Sequence, residues 1–68
     1  MPPPAAPWGL WYDGDGGRWV QGAPFFGAEK EATDYMREHL FWTAWRGDTY
    51  PKHAVTGEVP AWQIEWNL

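Results

Sequence analysis

Apolar and polar positions recur along this chain with periods that change from segment to segment, and each period names an element. Trp8 to Tyr12 alternates, with Trp8, Leu10 and Tyr12 on one face and Trp11 on the other, which predicts a short strand. Asp13-Gly14-Asp15-Gly16-Gly17 supplies residues that tolerate positive φ, and Arg18-Trp19-Val20-Gln21 returns as a second strand. These segments predict a β-hairpin. Gly22 to Gly27 reads as a loop holding Pro24 and the pair Phe25-Phe26. The period then becomes helical, from about Ala28 to Trp42 or Trp45. At about 100° per residue, Ala28, Ala32, Tyr35, Met36, His39, Leu40 and Thr43 converge on one face. Phe25 or Phe26 can fold back on that face as a hydrophobic staple. Gly47 is a natural stop, with Arg46 suited to the negative end of the helix.

Tyr50 to Thr56 predicts a third strand, which Pro51 weakens, pointing to an edge position or a late start. Thr56-Gly57-Glu58 is a turn. Trp62-Gln63-Ile64-Glu65-Trp66-Asn67-Leu68 then alternates strictly and predicts a fourth strand. The expected fold is therefore α+β, in the order ββαββ, an antiparallel sheet with one helix packed on one face. Trp62, Ile64 and Trp66 are expected beneath Met36 and Leu40. Residues 1–7 are Pro-rich and predict a flexible leader, with 8–68 as a single compact domain. No internal repeat is present.

Composition changes this picture in one respect. Seven Trp, three Tyr and three Phe stand among 68 residues. Aliphatic residues are few, so the core needs most of the Trp residues, and one or two left over form a candidate contact surface. There is no Cys and no Ser, which removes serine and thiol nucleophiles, disulfides and thiolate metal sites. Without Cys, nothing points to an oxidising compartment, and no apolar run approaches the ~20 residues of a membrane span. The expected location is cytoplasmic.

The candidate chemistry is thin. Asp13-Gly14-Asp15-Gly16 resembles the start of a calcium loop, but Arg18 falls where such a loop needs its glycine and Pro24 where it needs its bidentate Glu. His39 and His53 lack a third ligand at a supporting spacing. His39 instead reads as a satisfied core histidine. The carboxylates lie in turns and on a solvent-facing helix side, where nothing raises a pKa. The chain reads as a binding protein, not an enzyme, and no cofactor is expected.

Two surfaces qualify for binding. Glu31, Asp34 and Glu38, three and four residues apart, stack into one ridge on the predicted helix. Like charges at this spacing cost a few tenths of a kcal/mol each, so stability does not ask for them. Asp13, Asp15, Asp48 and Glu58 could extend the row. The net charge is −4, from nine Asp and Glu against five Lys and Arg. That balance disfavours direct binding to nucleic acid or anionic membrane and suits a basic, nucleic-acid-binding protein surface. The second surface is aromatic. Trp11, Phe41 and Trp45 point away from the expected core and could anchor a protein or stack on a sugar. A homodimer completing a small core is equally open, as is a monomer.

In size, acidity, lack of a catalytic motif and hairpin–helix–hairpin order, the whole chain resembles the small anti-defence proteins of phages and mobile elements, anti-CRISPR proteins among them. The resemblance implies a non-catalytic inhibitor in the cytoplasm of a host bacterium. Its carboxylates would occupy the basic surface where a CRISPR surveillance complex receives DNA. No residue is carried over from a family motif.

Overall fold

The structure is a computed structural model, and it describes residues 5–66, with the side chains of 64–66 outside the description. The order is β1 (Trp8–Tyr12), β2 (Arg18–Trp19), α1 (Glu29–His39), α2 (Phe41–Trp45), β3 (Thr49–His53) and α3 (Ala61–Trp66). Among the described residues the strands form one antiparallel sheet in the order β2-β1-β3. Trp11 pairs with Trp19 on one side and with Tyr50 on the other. The α+β class and the helix-on-sheet arrangement match the sequence pattern. Pro51, which has no N–H to donate, stands on the edge strand β3 opposite Leu10.

The turn between β1 and β2 is a single 3₁₀ turn over Gly14–Gly16. Asp15, Gly16 and Gly17 there have φ of 57°, 85° and 94°, so a run of Asp and Gly is what this turn requires. Pairing sends Trp8, Leu10 and Tyr12 to the same side as Pro51 and Thr49, and that side faces α1. The buried apolar core is Leu10, Ala32 and Met36, with Trp8, Val20, Phe26, Tyr35, Leu40 and Ala44 half-buried around it. Phe26 packs on Tyr35 and holds a bridge to Trp8, so the expected staple residue does fold onto the helix face. Of the expected leader, residues 1–4 lie outside the described residues. The Pro7 carbonyl accepts a hydrogen bond from the Ala54 N–H at 2.8 Å.

Four expectations need correction. The long helix breaks at Leu40, whose φ and ψ of −127° and 38° are not helical. The residues beyond it are mostly aromatic or β-branched and hold a helix weakly. The break turns Leu40 and Ala44 onto the core together. Second, β2 and β3 are shorter than predicted, because Gln21-Gly22 and Ala54–Thr56 turn away. Third, His39 is exposed and stacks on Tyr35 at 4.4 Å, and Ala28 is exposed too. His39 closes α1, one turn beyond its last buried residue, Met36.

The largest correction concerns the predicted fourth strand, of which residues 61–66 are the helix α3. Pro60 fixes φ in the range a first helical turn needs, and its carbonyl accepts from the Gln63 N–H at 3.0 Å. Ala61, Gln63 and Glu65 are good helix formers. A strand would turn Gln63 outward, yet Gln63 is buried. The expected burial of Ile64 and Trp66 beneath Met36 and Leu40 lies outside the described side chains, as do Asn67 and Leu68. Trp62 is not sealed in the core.

Candidate binding surface

The break at Leu40 decides what α2 presents. With Leu40 and Ala44 turned inward, Phe41, Trp42 and Trp45 point out, at 57%, 72% and 67% exposure, and Trp62 on α3 follows at 39%. Phe41 and Trp45 are four residues apart and share one helix face. Trp42 meets the edge of Phe41 at 5.5 Å between ring centroids. Beside them a cleft of about 510 Å³ opens between Met36 and Arg37 of α1, Phe41 and Trp45 of α2, and Trp62 and Gln63 of α3.

Polar ties hold the cleft walls. The Trp62 indole Nε1–H donates to Glu29 Oε1 at 3.4 Å, and Thr33 Oγ1 donates to the same oxygen at 2.9 Å. Gln63 Nε2 donates to the Gly47 carbonyl at 3.5 Å, fastening α3 to the loop after α2. Gly47 can only accept there, which orients the amide. Gln63 Oε1 is left sealed from solvent with no partner among the described residues. An unpaired buried acceptor costs about 1–3 kcal/mol, which the packing of α3 has to offset.

Each carboxylate of the expected row has a definite place. Glu31, Asp34 and Glu38 are exposed along α1, as the helix period requires. Asp34 is paired with Lys30 at 2.8 Å, which raises the Lys30 pKa, and Glu38 lies 3.9 Å from His39 Nε2. Asp13 and Asp48 meet at the end of the sheet, where the Asp13 N–H donates to the Asp48 carbonyl at 2.8 Å. Asp13 Oδ1 accepts from Trp11 Nε1 and from the Tyr50 hydroxyl, both at 3.0 Å. Burial first, and the Asp13 carboxylate second, push the Tyr50 pKa up to about 12. Asp15 lies 3.8 Å from Arg18, and Asp48 lies 3.2 Å from Arg46. Glu58 stands apart, in the turn after β3, where its carbonyl accepts from the His53 N–H. The structure gathers Asp13, Asp15 and Asp48 at one end of the sheet and keeps the α1 ridge separate.

Trp11 does not join Phe41 and Trp45. It lies on the sheet face away from α1, edge-on to Trp19 at 5.1 Å, with Lys52 Nζ 4.0 Å above its ring. Sequence reasoning singled out Phe41 and Trp45 but not Trp42, Trp62 or Arg37. Trp42 carried no such signal, since seven residues from Tyr35 a continuous helix keeps it beside the apolar face. Trp62 and Arg37 join the surface only once residues 61–66 are helical.

Among the described residues no helix is long and apolar enough to cross a membrane, and no group of three His, Asp or Glu stands close enough to hold a metal ion. No protein-family model, curated protein or solved structure matches this chain.

Proposed function

We propose that this chain is a non-catalytic binding protein whose contact surface is the aromatic face of α2 together with Trp62. The observation that carries the reading is that Phe41, Trp45 and Trp62 are exposed around one cleft, with Trp42 exposed against the edge of Phe41. A fully accessible aromatic side chain offers about 150–250 Å², so the exposed parts of these four amount to roughly 350–600 Å². The largest apolar patch on a typical monomer is about 300–600 Å² and is often functional. At about 25 cal/mol per Å², covering that area is worth on the order of 10 kcal/mol before the entropy cost of association. Exposed ion pairs contribute about 0–1 kcal/mol each. The carboxylates are also partly engaged by this chain's own Lys30, Arg18 and Arg46. The aromatic face therefore dominates.

A second reading rests on the exposure of Glu31, Asp34 and Glu38 in one ridge. In it the chain is an anti-CRISPR-type inhibitor that imitates nucleic-acid phosphates on a basic surface. One experiment separates the two. Tagged protein is used to retrieve a partner from bacterial lysate, and the retrieval is repeated with Trp45→Ala and with Glu31→Lys/Asp34→Lys/Glu38→Lys. The aromatic reading expects retrieval to fail with Trp45→Ala and to persist with the charge reversal and in high salt. The opposite pattern, with competition by duplex DNA, establishes mimicry instead.

A further inference from the structure

Accepting α2 as the contact surface, we infer that its resting occupant is a second copy of this chain, so that the protein is a two-fold homodimer closed through Phe41, Trp42, Trp45 and Trp62. The first argument is the core. Among the described residues the buried apolar side chains are few, Leu10, Ala32 and Met36 with Pro51 and Pro60, in a domain near the lower size limit for independent stability. Met36 also lines the aromatic cleft, so covering the cleft extends that core outward. The second argument is area. Two copies of the exposed aromatic surface give roughly 700–1,200 Å² in total, and the rims of the cleft add to it. That reaches the region of about 1,000–1,200 Å² where specific interfaces begin.

The third argument is charge. Arg37 borders the cleft, and Lys30, seven residues earlier and within about 20° of the same line along α1, is held by Asp34. Glu31 and Glu38 fall on the next line, about 100° further round. A two-fold axis perpendicular to α1 runs the helices of two copies antiparallel and can set Arg37 of each beside the acidic line of the other. Glu29, the carboxylate at the Trp62 end, is already engaged by Thr33 and Trp62. The charge of −4 on each copy opposes association, but repulsion between exposed charges fades beyond about 8 Å at physiological salt. The same Arg37 at the cleft argues against a basic side chain as the occupant. A heterologous protein partner would then have to displace the second copy.

Sedimentation equilibrium from about 1 to about 200 μM tests this, since association in that range corresponds to a micromolar Kd. The mass should rise with concentration from 7.8 kDa toward twice that value. Trp42→Glu/Trp45→Glu should stay monomeric throughout with an unchanged circular dichroism spectrum, because both rings are exposed. If that variant does not fold, Trp42→Ala serves, weakening the dimer on the order of tenfold or more. In nuclear magnetic resonance spectra of the wild-type protein, the indole N–H signals of Trp42 and Trp45 should move with concentration while those of Trp11 and Trp19 stay fixed. A constant mass of 7.8 kDa, a dimer indifferent to both variants, or movement confined to Trp11 and Trp19 overturns the inference. A monomer that still loses its retrieved partner on Trp45→Ala removes the second copy and leaves the contact surface standing. A monomer that keeps its partner removes both.

Discussion

This molecule carries two aromatic surfaces, and they differ in what their rings have found to touch. On the sheet face away from α1, Trp19 sits between Trp11 at 5.1 Å and Phe25 at 5.3 Å. Lys52 caps Trp11, and Asp13 accepts from both the Trp11 indole and the Tyr50 hydroxyl. Gly9 makes this possible, because a Cβ there would collide with the Phe25 and Trp19 rings. On α2, by contrast, Phe41 and Trp42 touch only edge to edge, and neither indole of Trp42 or Trp45 has a hydrogen-bond partner among the described residues. Aromatic content alone therefore does not mark a binding surface. A ring already closed upon other rings and polar partners belongs to the fold, and a ring left open is available to something else.

The strongest way to break this comparison is to treat both faces alike. Trp19→Ala should destabilise the protein by about 3 kcal/mol, near the low end for a large packed aromatic. Trp42→Ala should change stability by less than about 0.5 kcal/mol, as exposed positions do. Chemical denaturation of the two variants at low protein concentration, where self-association does not contribute, measures the difference. Equal losses would mean that α2 is a structural face and not a contact surface. Gly9→Ala should cost about 1–3 kcal/mol by forcing Phe25 and Trp19 apart, and it should leave partner retrieval by the folded fraction intact.

How much of this was legible in the sequence follows from which periods were ambiguous. The α1 face and β1 each had a single consistent period, and the Asp-Gly turn has only one chemistry. The aromatic pair Phe41 and Trp45 was visible for the same reason, by falling off the helical stripe. Trp62 and Trp66 were not decidable by spacing, since four residues is both two strand repeats and about one helical turn. Pro60 and the polar Gln63 were the deciding residues, and the alternation of the large rings outweighed them. The break at Leu40 left no mark in the pattern, because a continuous helix also places Leu40 on the apolar face, and Ala44, which it places outside that face, is too small to mark the change. Pairing of carboxylates with Arg18 and Arg46 depends on turn geometry that sequence spacing does not carry.

A smaller effect sharpens the contrast from the charged side. If the α2 face governs binding, Glu31→Lys/Asp34→Lys/Glu38→Lys should leave retrieval of a heterologous partner within about threefold of the original, with the loss of the Lys30–Asp34 pair costing stability only a few tenths of a kcal/mol. Titration calorimetry against the retrieved partner at two salt concentrations is the measurement. A steep fall in affinity with salt transfers the function to the ridge.

The smallest effect lies in the polar anchor of the sheet face. The Tyr50 phenol is pushed from 10.0 up to about 12, chiefly by burial and then by the Asp13 carboxylate that accepts its hydrogen bond. A pKa raised on folding means that the neutral phenol is the form the native state favours. The stabilisation is therefore complete below pH 10 and is lost as pH rises toward 12. Absorbance near 295 nm should show a late phenolate step that disappears in Tyr50→Phe. In Asp13→Asn the step should move down only part of the way, because burial persists when the charge is gone. A full return to 10.0 in Asp13→Asn would mean that Tyr50 is open to water and that this face is less closed than its ring contacts imply. The partial shift ties the phenol to both causes and separates the half-buried, self-packed aromatic face from the open one on α2.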